Sequence, residues 1–216
     1  MHVFCDFDGT ISTVDAVNFV LDRLAHPHWR EIEDDWIAGR IDAAACMRAQ
    51  TALISGDDAA LDAVLDEVDL DPGFARFVAW CGSNGAPVTV VSDGVDYFIR
   101  RILSRQGLDW LPVISNRLEG AAGMRRLGQP HLLAGCAAGA GVCKCAAVKP
   151  AAAESVIYVG DGRSDFCVSA RADLLFAKGA LAIYAQERNL PYYRFDTFDD
   201  VTTTLAEFIE ARRAAS

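Results

Sequence analysis

The sequence predicts an α/β fold: a Rossmann-like parallel sheet core with helices on both faces and an inserted helical cap. Two observations carry the core. Short apolar, β-rich runs at residues 2–7, 87–91 and 155–159 each end in a turn rich in acid and glycine, as buried parallel strands do before their loops. Helical patterns follow the later two at 96–106 and 165–172, and strands that alternate with helices form a parallel sheet. A third observation carries the cap: the stretch 15–77, rich in Ala, Leu, Asp and Arg, is too long for one crossover helix.

Taken in order, the first run leads into Cys5-Asp6-Phe7-Asp8-Gly9-Thr10, and residues 1–14 join 78–216 as the expected catalytic core around a cap at 15–77. Gly39, Ser55-Gly56 and Asp71-Pro72-Gly73 mark the turns between cap helices. The second strand meets Ser92-Asp93-Gly94, and the third meets Gly160-Asp161-Gly162. Short runs at 110–115 and 174–177 raise the expected strand count to five. The glycine-rich segment 116–142 reads as a loop or minor insertion, and 201–213 as a closing amphipathic helix.

Composition excludes several classes of function. A hydrophobic fraction of 52% and a charged fraction of 23% are those of a folded globular chain. The net charge of -10 repels nucleic acid and anionic membranes over most of the surface, so a small-molecule partner is expected and neither nucleic acid nor membrane. No stretch approaches the roughly 20 apolar residues of a span, and the chain runs into its first strand without a basic leader. Seven scattered cysteines read as reduced thiols. Together these place the chain in the cytoplasm, with a homodimer left open.

In parallel sheets ligands bind beyond the carboxyl ends of the strands, so Asp6, Ser92 and Asp161 are expected to converge on one rim. Asp6 and Asp8 are two apart at a strand end, and Asp161 and Asp165 are four apart with the second at a helix start. A turn acid or an N-cap explains either pair alone. Four acids on one rim repel one another without a cation, and an all-oxygen set suits Mg²⁺. Ser92 can offer its hydroxyl and backbone N–H to a phosphoryl oxygen. Lys144, Lys149 and Lys178 are all the lysines in the chain. Lys144 precedes Asp161 by 17 positions (161 − 144), room for two helical turns and a strand, whereas Lys149 lies too close to the strand. Lys144 is therefore the expected phosphate partner.

Asp6-Phe7-Asp8-Gly9-Thr10, Ser92, Lys144 and Gly160-Asp161 to Asp165 resemble the ordered motifs of the haloacid dehalogenase-like phosphatases, across nearly the whole chain. The helical insertion after the first motif is similar to the cap of the phosphoserine phosphatase-like subgroup. The resemblance implies that Asp6 attacks phosphorus to form an aspartyl-phosphate, and that Asp8 protonates the leaving oxygen and then activates water. It also implies that the Asp6 side chain, the Asp8 carbonyl and Asp161 hold Mg²⁺, with Asp165 supporting Lys144 or a metal-bound water. Ser92 and Asp93 fall in the phosphate-binding segment. The presence of Asp8 favours phosphoryl transfer over dehalogenation.

Asp15 stands where phosphoserine phosphatases carry a substrate-binding glutamate, and Ser92-Asp93-Gly94 replaces their Ser-Gly-Gly. Asp15, residues 93–98, Pro130-His131 and Cys143-Lys144-Cys145 resemble instead the sister family of 2-hydroxy-3-keto-5-methylthiopentenyl-1-phosphate phosphatases. The substrate expected is a small phosphomonoester, an enol phosphate of that type or phosphoserine or phosphoethanolamine. A phosphotransferase on the same site and a non-catalytic phosphometabolite-binding protein are the alternatives. Cys136, Cys143 and Cys145 with His131 offer zinc ligands, but their spacing matches no standard zinc pattern and loop thiols are the simpler reading. His26, His28, Trp29 and Arg30 are expected to pack within the cap rather than touch substrate.

Overall fold

The computed structural model describes residues 1–149 and 155–214. Among these, β1 (His2–Cys5), β2 (Val88–Val95), β3 (Val113–Glu119), β4 (Arg126–Gly128), β5 (Val156–Gly160), β6 (Leu174–Ala177) and β7 (Tyr193–Arg194) form one sheet. Their order is β4-β3-β2-β1-β5-β6-β7, with every pairing parallel except β3 with β4. The chain builds outward from β1 through β2 and β3, then returns to the other side of β1 with β5. That reversal opens a crevice at the carboxyl ends of β1, β2 and β5.

Alternation along the central strands sends side chains to two cores. Val3, Cys5, Ile157 and Val159 face one buried cluster, and Phe4, Val156 and Tyr158 face the other. On the first face, α5 (Phe74–Ser83) and α10 (Phe198–Ala214) pack together. Phe198 meets Phe74 edge-on at 4.8 Å and Phe77 at 5.0 Å, and such aromatic pairs contribute about 0.5–1.5 kcal/mol each beyond their burial. The helix α6 (Asp96–Ser104) buries Phe98, Ile99, Ile102 and Leu103 in the same cluster. The second face receives Val168 of α8 (Phe166–Ser169) and Leu181 and Ala185 of α9 (Gly179–Glu187).

Between β1 and β2 the chain forms α1 (Ala16–Leu24), α2 (Trp29–Ile37), α3 (Ala43–Thr51) and α4 (Asp58–Leu65) before α5. The aspartate-rich composition of this stretch has a local cause. Asp15, Asp42 and Asp57 are the N-caps of α1, α3 and α4, and each accepts a backbone N–H three residues on. Gly39, Ser55-Gly56 and 71–73 fall in the turns between these helices, as expected. None of the described helices is long and apolar enough to cross a membrane.

Three expectations need correction. The sheet has seven strands rather than five. The segment 116–142 is not simply a loop, because β3 runs on to Glu119 and turns back as β4, where only Leu127 is buried. A three-residue strand with one inward side chain, like the two-residue β7, leaves no period to detect. Finally, the helix expected over 165–172 is shorter: a 3-10 turn at Arg163–Asp165, in which the Asp165 carboxylate accepts the N–H groups of Asp161 and Gly162, leads into α8, which ends at Ser169.

Candidate active site

Cys5 is in register with Val90 of β2 and with Val159 of β5, so the residues that follow on all three strands emerge level with one another. Asp6 is still tied to the sheet, its N–H donating to the Val159 carbonyl at 2.9 Å. The chain then folds back sharply: the amides of Thr10, Ile11 and Ser12 all donate to the Phe7 carbonyl. Gly9 makes this turn at φ +71°, and a Cβ there would lie 2.6 Å from Asp161 Oδ2. Glycine is demanded both by the left-handed backbone and by the approach of β5. The turn carries Asp8 back over the strand ends, where Asp8 Oδ1 accepts the Ala16 N–H at 2.8 Å and the Ser92 hydroxyl lies 3.4 Å from Oδ2.

Ser92 is buried within β2, not after it, at an irregularity in the register between Val91 and Val95. Its hydroxyl oxygen accepts the Gly94 N–H at 2.8 Å. Asp93 turns its carboxylate toward the segment leading to Lys144, accepting the Val142 N–H at 2.9 Å and an amide hydrogen of Asn116. Lys144 opens the short helix α7 (Lys144–Ala147) and is wholly buried. Its ammonium donates to Asp6 at 2.7 Å and to Asp165 at 2.6 Å. Lys149, by contrast, is exposed.

Asp165 is saturated. Oδ1 accepts from Lys144 and, at 2.6 Å, from the Tyr158 hydroxyl; Oδ2 accepts the N–H groups of Asp161 and Gly162 at 3.0 Å each. A buried carboxylate with this many donors is held in one orientation, so Asp165 fixes Lys144 and the loop of Asp161 at once. Asp161 accepts the Thr10 hydroxyl on Oδ1 at 2.7 Å. Asp6, Asp161 and Asp165 can each present an oxygen within 4.8 Å of the others. With Asp165 committed, Asp6 and Asp161 are the pair with oxygens to offer a cation.

The electrostatics point the same way. Burial, followed by the nearby Asp165 charge, pushes Asp6 well above the usual carboxylate range, against the pull of Lys144. Burial also raises Asp161. For Lys144, burial alone would favour the neutral amine, but Asp165 and Asp6 outweigh it and hold the ammonium above its ordinary value. One lysine thus stands among several crowded acids. The oxygen donors of Asp6 and Asp161 are of the kind that fits a hard divalent cation such as Mg²⁺. Asp8 is raised as well, by burial first and the Asp15 charge second, to about 8, which favours its acid form at neutral pH.

These groups form the floor of a cavity of about 740 Å³. Asp6, Asp8, Ser92, Asp93 and Asp161 line it from below, and Asp15, Asn18, Glu33, Trp36, Met47 and Gln50 line it from the helices α1 to α3. The structure therefore brings together every expected site residue, with Lys144 and Asp165 set beneath the floor. Asp15 faces the cavity while also capping α1. His26, His28, Trp29 and Arg30 do not line the cavity; Trp29 is buried and Arg30 pairs with Asp22 at 2.6 Å. Sequence reasoning missed Tyr158, which reads as one more apolar strand residue, and Thr10, which was in view within the first motif but given no role. Glu33 and Gln50 were missed too, since Glu33 is one of several acids on α2 and Gln50 a polar residue near the end of α3; Gln50 donates to Glu33 at 2.7 Å.

A protein-family model described as haloacid dehalogenase-like hydrolase matches residues 3–169. The 2-hydroxy-3-keto-5-methylthiopentenyl-1-phosphate phosphatase of Geobacillus thermodenitrificans is 32% identical over 208 residues, covering 94% of each chain. The protein of the same name from Brevibacillus brevis is 28% identical over 210 residues, covering 95% of each. Among solved structures, a probable phosphoserine phosphatase from Vibrio cholerae shares the fold with a TM-score of 0.74 at 19% identity, over 100% of this chain and 68% of that one.

Proposed function

The chain belongs to the haloacid dehalogenase-like hydrolase family, and from that premise we propose that it hydrolyses a small phosphorylated metabolite through an aspartyl-phosphate on Asp6. It is a phosphoric monoester hydrolase; the substrate class, the intermediate and the residue roles are our reading. The observation that carries it is the Lys144 ammonium held between Asp6 and Asp165 at the ends of β1 and β5, with the Asp8 carboxyl beside the Ser92 hydroxyl at the same rim.

In this reading Asp6 attacks phosphorus in line as the bond to the alcohol oxygen breaks. Asp8, protonated below about 8, gives its proton to that oxygen. Asp8, now a carboxylate, takes a proton from water as the water attacks the phosphorus of the aspartyl-phosphate, which releases phosphate and restores both acids. The Ser92 hydroxyl and nearby backbone N–H groups hold the phosphoryl oxygens, and Lys144 offsets the charge that gathers on them. Asp93 contributes to phosphate binding by holding Val142, and with it the segment before Lys144. Asp6, the Asp8 carbonyl and Asp161 would hold Mg²⁺, which supplies positive charge against the transferring oxygens when bound. Asp8 takes the N–H of Ala16 at the start of α1, so the position of the general acid is tied to the helices over the cavity. We assign residues 15–77 as the cap that selects substrate.

Identity to the methylthiopentenyl phosphate phosphatases supports an enol phosphate substrate, and Val17, Trp36 and Met47 give the upper cavity apolar surface for a thioether tail. The carboxyl groups of Asp15 and Glu33 in the same wall favour a second reading, a phosphomonoester of a cationic alcohol. A hydrolysis panel with Mg²⁺ tests both: the enol phosphate of methionine salvage, phosphoserine, phosphoethanolamine, phosphocholine and an aryl phosphate. Turnover of at least one, abolished by Asp6→Asn, is expected. Absence of turnover across the panel contradicts the enzymatic reading, and preference for phosphocholine over the enol phosphate favours the second.

A further inference from the structure

Four cysteines from separate parts of the chain meet beside the catalytic floor. Cys136 follows β4, Cys143 and Cys145 flank Lys144 at the start of α7, and Cys167 lies in α8, two residues beyond Asp165. The Sγ atoms of Cys136, Cys145 and Cys167 all lie within 4.8 Å of one another. Cys143 Sγ is 3.3 Å from Cys145 Sγ. All four are free thiols. The spacing along the chain, Cys-x6-Cys-x-Cys-x21-Cys, is not a standard zinc pattern, and only the packing of α7 on α8 brings Cys167 to the others. His131, the histidine first considered with these cysteines, instead uses its carbonyl to accept the Cys143 N–H at 3.0 Å.

We propose that Cys136, Cys143, Cys145 and Cys167 bind one structural Zn²⁺ that staples α7 to α8. Four soft thiolates select zinc over the hard cation of the carboxylate site. Zn–S bonds of about 2.3 Å set tetrahedral sulfurs roughly 3.8 Å apart; Cys136, Cys145 and Cys167 already lie within 4.8 Å of one another, and Cys143, in contact with Cys145, would turn toward the other two to complete the set. Each thiol releases its proton to solvent as its sulfur binds the ion, and with no position left open the site is structural and not hydrolytic. The complex carries net negative charge, and Arg171 lies beside it, donating to the Cys145 carbonyl at 2.6 Å. Burial is the main cause that raises the Cys145 and Cys167 thiols, and a hydrogen bond from a neighbouring cysteine works against it in each. The ion would fix the two segments that carry Lys144 and Asp165, and so the pair beneath the floor.

This site does not depend on the phosphatase reading, and its test does not depend on turnover. The full chain is expressed in zinc-supplemented medium and assayed for bound metal by mass spectrometry; about one zinc per chain is expected. Replacement by Co²⁺ should give the intense visible bands and sulfur-to-metal charge transfer of a tetrahedral thiolate site. In Cys136→Ser and Cys167→Ser the zinc affinity, measured against a chromophoric chelator, should fall at least about tenfold, and the cobalt bands should weaken. If a variant fails to fold, the wild-type cobalt spectrum decides alone. Overturning results are wild-type protein with less than about a tenth of an equivalent of zinc, a cobalt spectrum of oxygen ligation only, an iron–sulfur chromophore, or a Cys–Cys disulfide in the freshly purified chain.

Discussion

Consider Lys144→Met in metal-free protein. The change keeps a long side chain in the space but removes an ammonium lying 2.7 Å from Asp6 and 2.6 Å from Asp165, all three groups being buried. Breaking a buried pair by deleting one partner costs about 3–5 kcal/mol, since the charge left behind has lost its compensation. Asp165 keeps the Tyr158 hydroxyl and two backbone N–H groups, which places the cost toward the lower end, about 3 kcal/mol. For a chain of this size each kcal/mol moves Tm by about 2–4 °C, so the melting temperature should drop by roughly 6–12 °C near pH 8. The deficit should shrink with acid. Lys144 lowers the Asp6 pKa, so without it Asp6 is raised further, and the folded state takes up protons that the unfolded state, with ordinary carboxylates, does not. Stability from a raised folded pKa is present at low pH and lost as pH rises through that pKa. Calorimetry at about pH 5 and about pH 8 measures both effects. A Tm within about 2 °C of the wild type at the higher pH, or a deficit that grows toward acid, would refute the reasoning.

Other substitutions separate the remaining roles. Asp8→Asn should slow hydrolysis of an alkyl phosphate by about 10²–10⁴, while an aryl phosphate still releases a stoichiometric burst of phenol in stopped flow and then stalls, because the second step has lost its base; equal slowing of both with no burst contradicts this assignment. Asp15→Asn removes the charge that, after burial, raises Asp8 to about 8. The alkaline limb of kcat/KM, where the acid form of Asp8 is lost, should therefore move to lower pH, and a limb that stays or moves up counts against Asp8 as the acid. Gly9→Ala puts a Cβ 2.6 Å from Asp161 Oδ2 at a φ of +71°. Weaker Mg²⁺ binding in calorimetric titration is expected together with a Tm loss; unchanged metal affinity would show that the Asp6 turn and Asp161 do not share a cation.

How far the sequence reveals this molecule depends on the kind of contact. Asp6, Ser92 and Asp161 were legible because each ends an apolar run, and parallel strands bring such ends together whatever their separation in the chain. Lys144 was legible through scarcity, in a chain with so few lysines. The strand β4 was not, since three residues with one buried side chain carry no pattern, and neither was Tyr158, whose hydroxyl matters only because Asp165 turns inward beneath it. The metal-binding potential of the cysteines was half visible. Cys136, Cys143 and Cys145 are neighbours in sequence, but Cys167 joins them only through the seating of α8 on α7, and His131, closer in the chain, is not part of the thiol cluster.

The central claim is that Asp6 carries the phosphoryl group. Wild-type protein turning over its best substrate with Mg²⁺ is quenched in acid within the first turnover and reduced with borohydride, which converts an aspartyl-phosphate into homoserine. Peptide mass spectrometry should then find homoserine at position 6 and nowhere else, and none in protein quenched without substrate. Homoserine at another aspartate, or phosphate covalently held by any other residue during turnover, would contradict the account.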